Sequence, residues 1–275
     1  MTVMADQSMR LPRDADVSAG GFEAVFATDG CLEQEQWGRA AGRLRFEGLR
    51  PVSAFPIVPG KRWGPGWWWS ATTGGHVAHG SAAMVLQLML LDRDPRVVAL
   101  SGRPVRLLWR DAQDTAVVRS WVPQLFARYA DGTGMLADCP GAPGAGGAAA
   151  QRAAVAVGAA CAQVGWVYRR LRAPDPVVAG NVRWLAGYRH PRFRGEAQVE
   201  TAVLEAFARP RPLVEGVREA GNPLVVLPVV YHALWAHRLE VPLDRPLRAG
   251  VLVSPGLTGA GPVAGVAAAG AGVGR

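Results

Sequence analysis

The chain has 275 residues and a mass of 29.1 kDa, enough for one or two domains with full cores. Its formal net charge is +8 and its pI about 10.4, and because Lys61 is the single lysine the charge is carried almost wholly by arginine. That balance suits a polyanionic partner, nucleic acid ahead of an acidic membrane surface, although richness in Arg, Ala and Gly also follows from coding bias. Cys31, Cys139 and Cys161 are odd in number and form no Cys-x-x-Cys or Cys/His pattern, which argues against a disulfide framework and a zinc site and for a reducing compartment. Asp6, Arg10, Arg13 and Asp14 interrupt the stretch where an export signal would need an apolar run. The expectation is a soluble, cytoplasmic protein.

In chain order, residues 1–49 lack a clear apolar period and are expected to form a poorly ordered N-terminal arm. Trp67, Trp68 and Trp69 follow a Pro/Gly-punctuated stretch; in an extended chain they alternate faces, so at least one is exposed or interfacial. They read either as a strand packed on both faces or as a base-stacking platform. Ser81 opens an apolar helix that Asp94 and Pro95 close. Strands are expected over 96–100, 104–109, 116–128 and 135–139, the last two joined by the turn Asp131-Gly132-Thr133-Gly134. A helix over 148–164 and a strand over 165–171 complete an α/β core.

Arg172–Pro176 reads as a linker. Beyond it come short helices over 177–185, 197–208, 212–220 and 224–237, then a strand-like stretch over 239–247, the pattern of a winged-helix type of module. The helix near Leu224 is too short to span a bilayer. Residues 250–275 read as a disordered, Gly/Ala-rich tail.

Few residues carry recognisable chemistry. His76 and His79 have no neighbouring acidic or thiol ligand, so a structural or solvent-facing role is the simpler reading, and His232 and His237 fall on different helix faces, which is poor geometry for shared ligation. There is no Gly-x-Ser-x-Gly elbow and no evident Cys–His pair. The run from Arg183 to Arg194 interleaves Arg183, Arg189, Arg192 and Arg194 with Trp184, Tyr188 and Phe193, which fits phosphate contact with stacking as well as it fits a solvated face.

The segments PGWWWSATTGGHV, LMLLDRDPRVVAL, RYADGTGMLADC, VGWVYRRL, NVRWLAGYRHPR and PRPLVEGVREAGNPLVVLPVVYHALWAHRLEVPLDRPL, in this order, resemble the TnsA-like endonuclease subunit of bacterial heteromeric transposases, over Arg50 to Leu247. The resemblance implies a restriction-endonuclease-like domain (50–172), a mixed sheet flanked by helices, then a small helical winged-helix-like domain (173–249). It implies action on DNA at transposon ends, beside a partner transposase and an ATP-dependent regulator, with no membrane partner. The reaction implied is Mg²⁺-dependent phosphodiester cleavage, in which carboxylates hold the metal and a cation steadies charge.

Carried onto this chain, the family's catalytic positions fall at Gly80, Gln124, Asp138 and Pro140, of which Asp138 alone keeps a metal-binding carboxylate. The expectation is therefore a DNA-binding subunit whose cleavage is impaired or lost. The alternative is a non-catalytic scaffold that docks the partner transposase or regulator, chiefly through Leu224–His237.

Overall fold

A computed structural model describes residues 17, 21–28, 30–57, 60, 64–139, 141 and 146–256. The chain divides into two compact units, Met1–Arg183 and Trp184–Arg275. The division falls inside a helix rather than at the expected linker near residue 172. The linker stays with the first unit, where the Gln87 side-chain amide donates to the Arg172 carbonyl at 2.9 Å.

The first unit opens with β1 (Phe22–Thr28) and β2 (Cys31–Gln36), an antiparallel hairpin, followed by α1 (Trp37–Arg43). This corrects the expectation of a poorly ordered arm for residues 22–43; residues 1–16 of that arm lie outside the described residues. Strand β1 is buried along most of both faces and so lacks alternation, while β2 is an exposed edge of Glu and Gln, so neither leaves the usual period-two signature. Helix α1 is anchored by Trp37, fully buried, whose indole N–H donates to the Ala160 carbonyl at 2.7 Å.

Next come β3 (Gly66–Ser70) and β4 (Gly75–His79), an isolated antiparallel pair, and α2 (Ala82–Arg93). The three tryptophans alternate as expected: Trp67 is 65% exposed and Trp68 is buried. Asp92, buried near the end of α2, holds the hairpin by accepting from Trp68 Nε1 (3.0 Å), Ser70 Oγ (2.6 Å), and the Ala71 and Thr72 amides (3.1 and 2.9 Å). Ser81 caps α2 by accepting from the Met84 amide at 3.2 Å.

The remaining elements of the unit are β5 (Val97–Gly102), β6 (Arg106–Arg110), β7 (Val118–Trp121), β8 (Leu125–Tyr129), β9 (Gly134–Asp138), α3 (Ala148–Gln163) and β10 (Val167–Arg170). The expected single strand over 116–128 is two strands in different sheets. Pro123 has no amide proton to donate and breaks the ladder there. One sheet runs β2-β1-β6-β7. The other runs β10-β9-β8-β5, with β5, β8 and β9 antiparallel and β10 returning parallel to β9 through α3. Phe22, Phe26, Trp37, Phe46, Phe126 and Trp166 form the centre of a core shared by elements of both sheets.

Helix α4 (Pro176–Ala186) carries the division between units. The second unit then runs α5 (Ala197–Ala206), β11 (Arg211–Pro212), α6 (Leu213–Ala220), α7 (Pro223–Trp235), β12 (Leu239–Glu240) and β13 (Leu252–Pro255). The order β11-β13-β12 makes a small antiparallel sheet. Strand β13 corrects the expectation that the tail begins at residue 250: Val253 is fully buried and β13 pairs on both sides. Residues 257–275 of the expected tail lie outside the described residues. Asn222 caps α7 by accepting from the Leu224 amide at 3.1 Å, and Pro223 occupies its first turn. The whole is a mixed α/β fold. Among the described residues no helix is long and apolar enough to cross a membrane.

Candidate active-site region

Asp138 ends β9 and is 3% exposed. Its Oδ2 accepts from Trp121 Nε1 at 2.8 Å and from the Tyr168 hydroxyl at 2.6 Å, and its Oδ1 accepts from the Gln124 amide at 3.2 Å. Tyr168 reaches it from β10, which runs beside β9 with Arg170 opposite Asp138, while Trp121 ends β7. The carboxylate thus ties together strands from both sheets. Burial pushes its pKa up from the ordinary value, and the hydrogen bonds from Tyr168, Trp121 and Gln124, with the charge of Arg170, only partly offset that rise. Tyr168 is also raised, first by burial and then by donating to Asp138.

Gln124 stands just before β8. Its side-chain oxygen accepts from the Cys139 amide at 3.0 Å, and its backbone carbonyl accepts from the Arg103 amide at 3.0 Å. Gly80 stands just before the cap of α2 and lines one cleft together with Phe55, Pro56, Ser81, Met84, Arg103 and Gln124. A Cβ at Gly80 would lie 2.2 Å from a ring carbon of Phe55, so the aromatic ring fills the space that a larger side chain would need. Gly80, Gln124 and Asp138 therefore come together at one end of the β10-β9-β8-β5 sheet. Pro140 lies outside the described residues.

Mg²⁺ needs a near-octahedral set of oxygen ligands, usually with one or two carboxylates free to face it. The donors here do not fit it: both Asp138 oxygens and the Gln124 amide oxygen already accept protein hydrogen bonds, and Gly80 contributes no side chain. Among the described residues no group of three or more His, Cys, Asp or Glu could hold a metal ion. His79 sits in a partly buried place that lowers its pKa, and His232 Nδ1 is 2.8 Å from the Tyr188 carbonyl.

Arg103, which belongs to none of the sequence motifs above, has a left-handed backbone (φ 51°) and lays its guanidinium 4.8 Å from the Phe55 ring centroid, on the rim of the same cleft. One of its terminal nitrogens donates to the Ala54 carbonyl. Burial, then the nearby Arg106, lower its pKa, while Asp138 acts in the opposite sense. The Nε atoms of Arg103 and Arg106 are buried without a hydrogen-bond partner among the described residues. Phe55, Arg103, Trp121 and Tyr168 gave no sequence signal because their roles depend on contacts between distant segments.

The arginines nominated for DNA contact differ in freedom. Arg183 is exposed on α4. Arg189 donates to the Ala186 carbonyl at 2.7 Å, capping the end of its own helix. Arg192 is exposed, 4.7 Å from the Phe193 ring centroid. Arg194 is committed to Glu200, which its Nε meets at 2.9 and 3.0 Å, and Glu200 also pairs with Arg238. In the second unit Trp184, Tyr188 and Tyr231 form an aromatic cluster, with Phe193 against Tyr188. No protein-family model and no curated protein matches the chain.

Proposed function

We propose that the chain is a TnsA-like subunit of a heteromeric transposase that works in the cytoplasm, binds DNA at transposon ends and has lost metal-dependent cleavage. The observation that carries this reading is the convergence of Gly80, Gln124 and Asp138, the positions matching a nuclease centre, at one end of a mixed sheet. The sheet β10-β9-β8-β5, an antiparallel trio extended by a parallel strand, with α2 before β5, α3 between β9 and β10, and β6 and β7 diverted to the other sheet, supports a restriction-endonuclease-like core. The order α5-β11-α6-α7-β12-β13, with β13 central in its sheet, supports a winged-helix-like module. Loss of chemistry follows from the donor set: the remaining carboxylate is used as a structural acceptor.

The chain's arginine surplus supplies the affinity for phosphates in this reading. The test is a titration of labelled duplex DNA over a range of salt. The parent binds with a steep inverse dependence on salt, and Arg183→Ala with Arg192→Ala flattens the slope by about one unit for each phosphate that is no longer neutralised. Arg194→Ala has the smaller effect, because Glu200 already neutralises that charge. Salt-independent or undetectable binding by the parent would sink the reading.

One observation favours the scaffold reading within the same assembly. Leu224 (85% exposed) and Val225 (53% exposed) open α7, the helix a winged-helix module would present to a groove, and neither offers a donor or acceptor to a base edge. An apolar start to that helix suits contact with the partner transposase or regulator, leaving the arginines to hold DNA. Leu224→Asp with Val225→Asp weakens co-purification with the partner subunit while leaving DNA affinity intact, whereas a loss of DNA affinity would assign α7 to the nucleic acid.

A further inference from the structure

The second unit carries a group of touching aromatic rings that is not enclosed in its core. Trp184 lies 6.0 Å from Tyr188 and 5.7 Å from Tyr231 between ring centroids, and Tyr188 lies 4.9 Å from Tyr231. Phe193 extends the group at 5.2 Å from Tyr188. Trp184 is 52% exposed, and Tyr188, Phe193 and Tyr231 are half-buried. Single exposed apolar residues are ordinary on a protein surface, but a contiguous patch marks a contact site.

The rings are fixed before any ligand arrives. Beyond α4 the backbone that bears them is held by the Arg189 guanidinium on the Ala186 carbonyl at 2.7 Å, by His232 Nδ1 2.8 Å from the Tyr188 carbonyl, and by the His190 ring, which accepts from the Arg192 amide at 3.1 Å. Ordered rings lose little entropy when something stacks on them.

The charge around the patch selects the occupant. From Trp184 to Gly195 the chain has Arg189, Arg192 and Arg194 and no acidic residue. Arg194 is neutralised by Glu200, whereas Arg192 is exposed with its guanidinium 4.7 Å from the Phe193 ring centroid. Aromatic faces bordered by a cation match a flat ring joined to an anion, which is a nucleobase on its phosphate backbone. A protein helix is better served by aliphatic side chains such as the exposed Leu224 and Val225.

We propose that this patch stacks unpaired bases of single-stranded DNA, as at a frayed or gapped end, with Trp184 as the principal platform and Arg192 drawing in the adjoining phosphate. The inference rests on the DNA-binding reading above and names the form of DNA that the second unit prefers. Bases inside a duplex already stack on one another, so the patch discriminates by the free face of the base and not by its sequence.

The test measures binding of the full chain to single-stranded oligothymidine, to a strand of equal length whose sugars lack bases, and to a duplex, each over a range of salt. Trp184→Leu keeps an apolar side chain without a π-face, and Trp184→Phe restores one; thermal unfolding checks that both fold. The parent should bind the base-bearing strand about tenfold more tightly than the abasic one. Trp184→Leu should erase that preference with the salt slope unchanged, because no phosphate contact is lost, and Trp184→Phe should keep most of it. If Trp184→Leu does not fold, the parent's preference between the two strands and the Trp184→Phe result decide. Equal binding of both strands by a parent that holds duplex would overturn the stacking site while the DNA reading stands. A preference for bases that persists in folded Trp184→Leu would also overturn it, as would unchanged strand binding with lost co-purification of the partner subunit, which would give the patch to a protein. A parent that binds the base-bearing strand through Trp184 but not duplex would keep the site and sink the duplex reading, and a parent that binds no DNA would sink both.

Discussion

Asp138→Ala should destabilise the folded chain by about 2–4 kcal/mol, because it strands buried donors around a charge-bearing acceptor. Trp121 Nε1, the Tyr168 hydroxyl and the Gln124 amide all point at this carboxylate, and alanine offers none of them an acceptor. A carboxylate kept for a metal behaves in the opposite way, since removing it from the metal-free protein relieves repulsion between ligands. The pH dependence gives a second reading of the same group. The folded pKa of Asp138 is raised, so the native state holds its proton more tightly than the unfolded chain does. Its contribution is then most favourable below the ordinary aspartate value of about 3.9 and declines as pH rises through the raised folded value. The stability difference between the parent and Asp138→Asn, measured by urea unfolding, should therefore narrow from acid towards neutral pH. A difference that widens with pH would mean that the folded state favours the ionised form, against the burial that dominates here.

Trp166→Ala should cost about 3–5 kcal/mol, the upper range for truncating an aromatic side chain in a core. Trp166 meets Trp37, Phe46 and Phe126 at centroid distances of 5.3, 5.2 and 5.3 Å, mostly edge to face. The Arg128 guanidinium lies 5.0 Å from its centroid. Gly134, at the start of β9, permits this packing: a Cβ there would lie 2.4 Å from the indole. Because Trp37 belongs to α1, Phe46 to the short 3-10 turn that follows it and Phe126 to β8, a single ring joins elements distant in sequence. Trp166→Phe keeps part of the edge-to-face contact and should lose roughly half as much, since part of the buried area remains. Urea midpoints with unchanged slopes would carry the comparison, and a loss below about 1 kcal/mol for Trp166→Ala would show that the core closes over the gap.

What could be read from the residues was local chemistry. Ser81 and the Asp94-Pro95 pair bracket α2, Asp131-Gly132 turns β8 into β9, and the alternating faces of Trp67 and Trp68 follow from strand geometry alone. Strands without the usual alternation escaped, for physical reasons particular to each. β1 is covered on nearly all of both faces, β2 is a polar edge, and β13 is four residues in a Gly-rich stretch stabilised by partners on either side.

The candidate site divides in the same way. Positions 80, 124 and 138 are marked only by the family resemblance, and their residues lie near one another in the fold. The side chains that surround them are not marked, because Trp121 and Tyr168 reach Asp138 across 17 and 30 residues, and Phe55 fills the space beside Gly80. Contacts at such separation leave no periodicity to detect. Among the arginines, the sequence marks charge but not pairing: Arg194 is held by Glu200 while Arg183 and Arg192 are exposed.

The most direct test of the proposal that this chain holds DNA as a nuclease-like subunit without cutting it is a nicking assay on supercoiled plasmid with Mg²⁺ or Mn²⁺, comparing the full chain with Asp138→Ala and with DNA binding measured in the same samples. The expected result is salt-sensitive binding by the parent and no metal-dependent nicking by either protein. Metal-dependent nicking by the parent that disappears in a folded Asp138→Ala variant would contradict it, and would make Asp138 a working metal ligand.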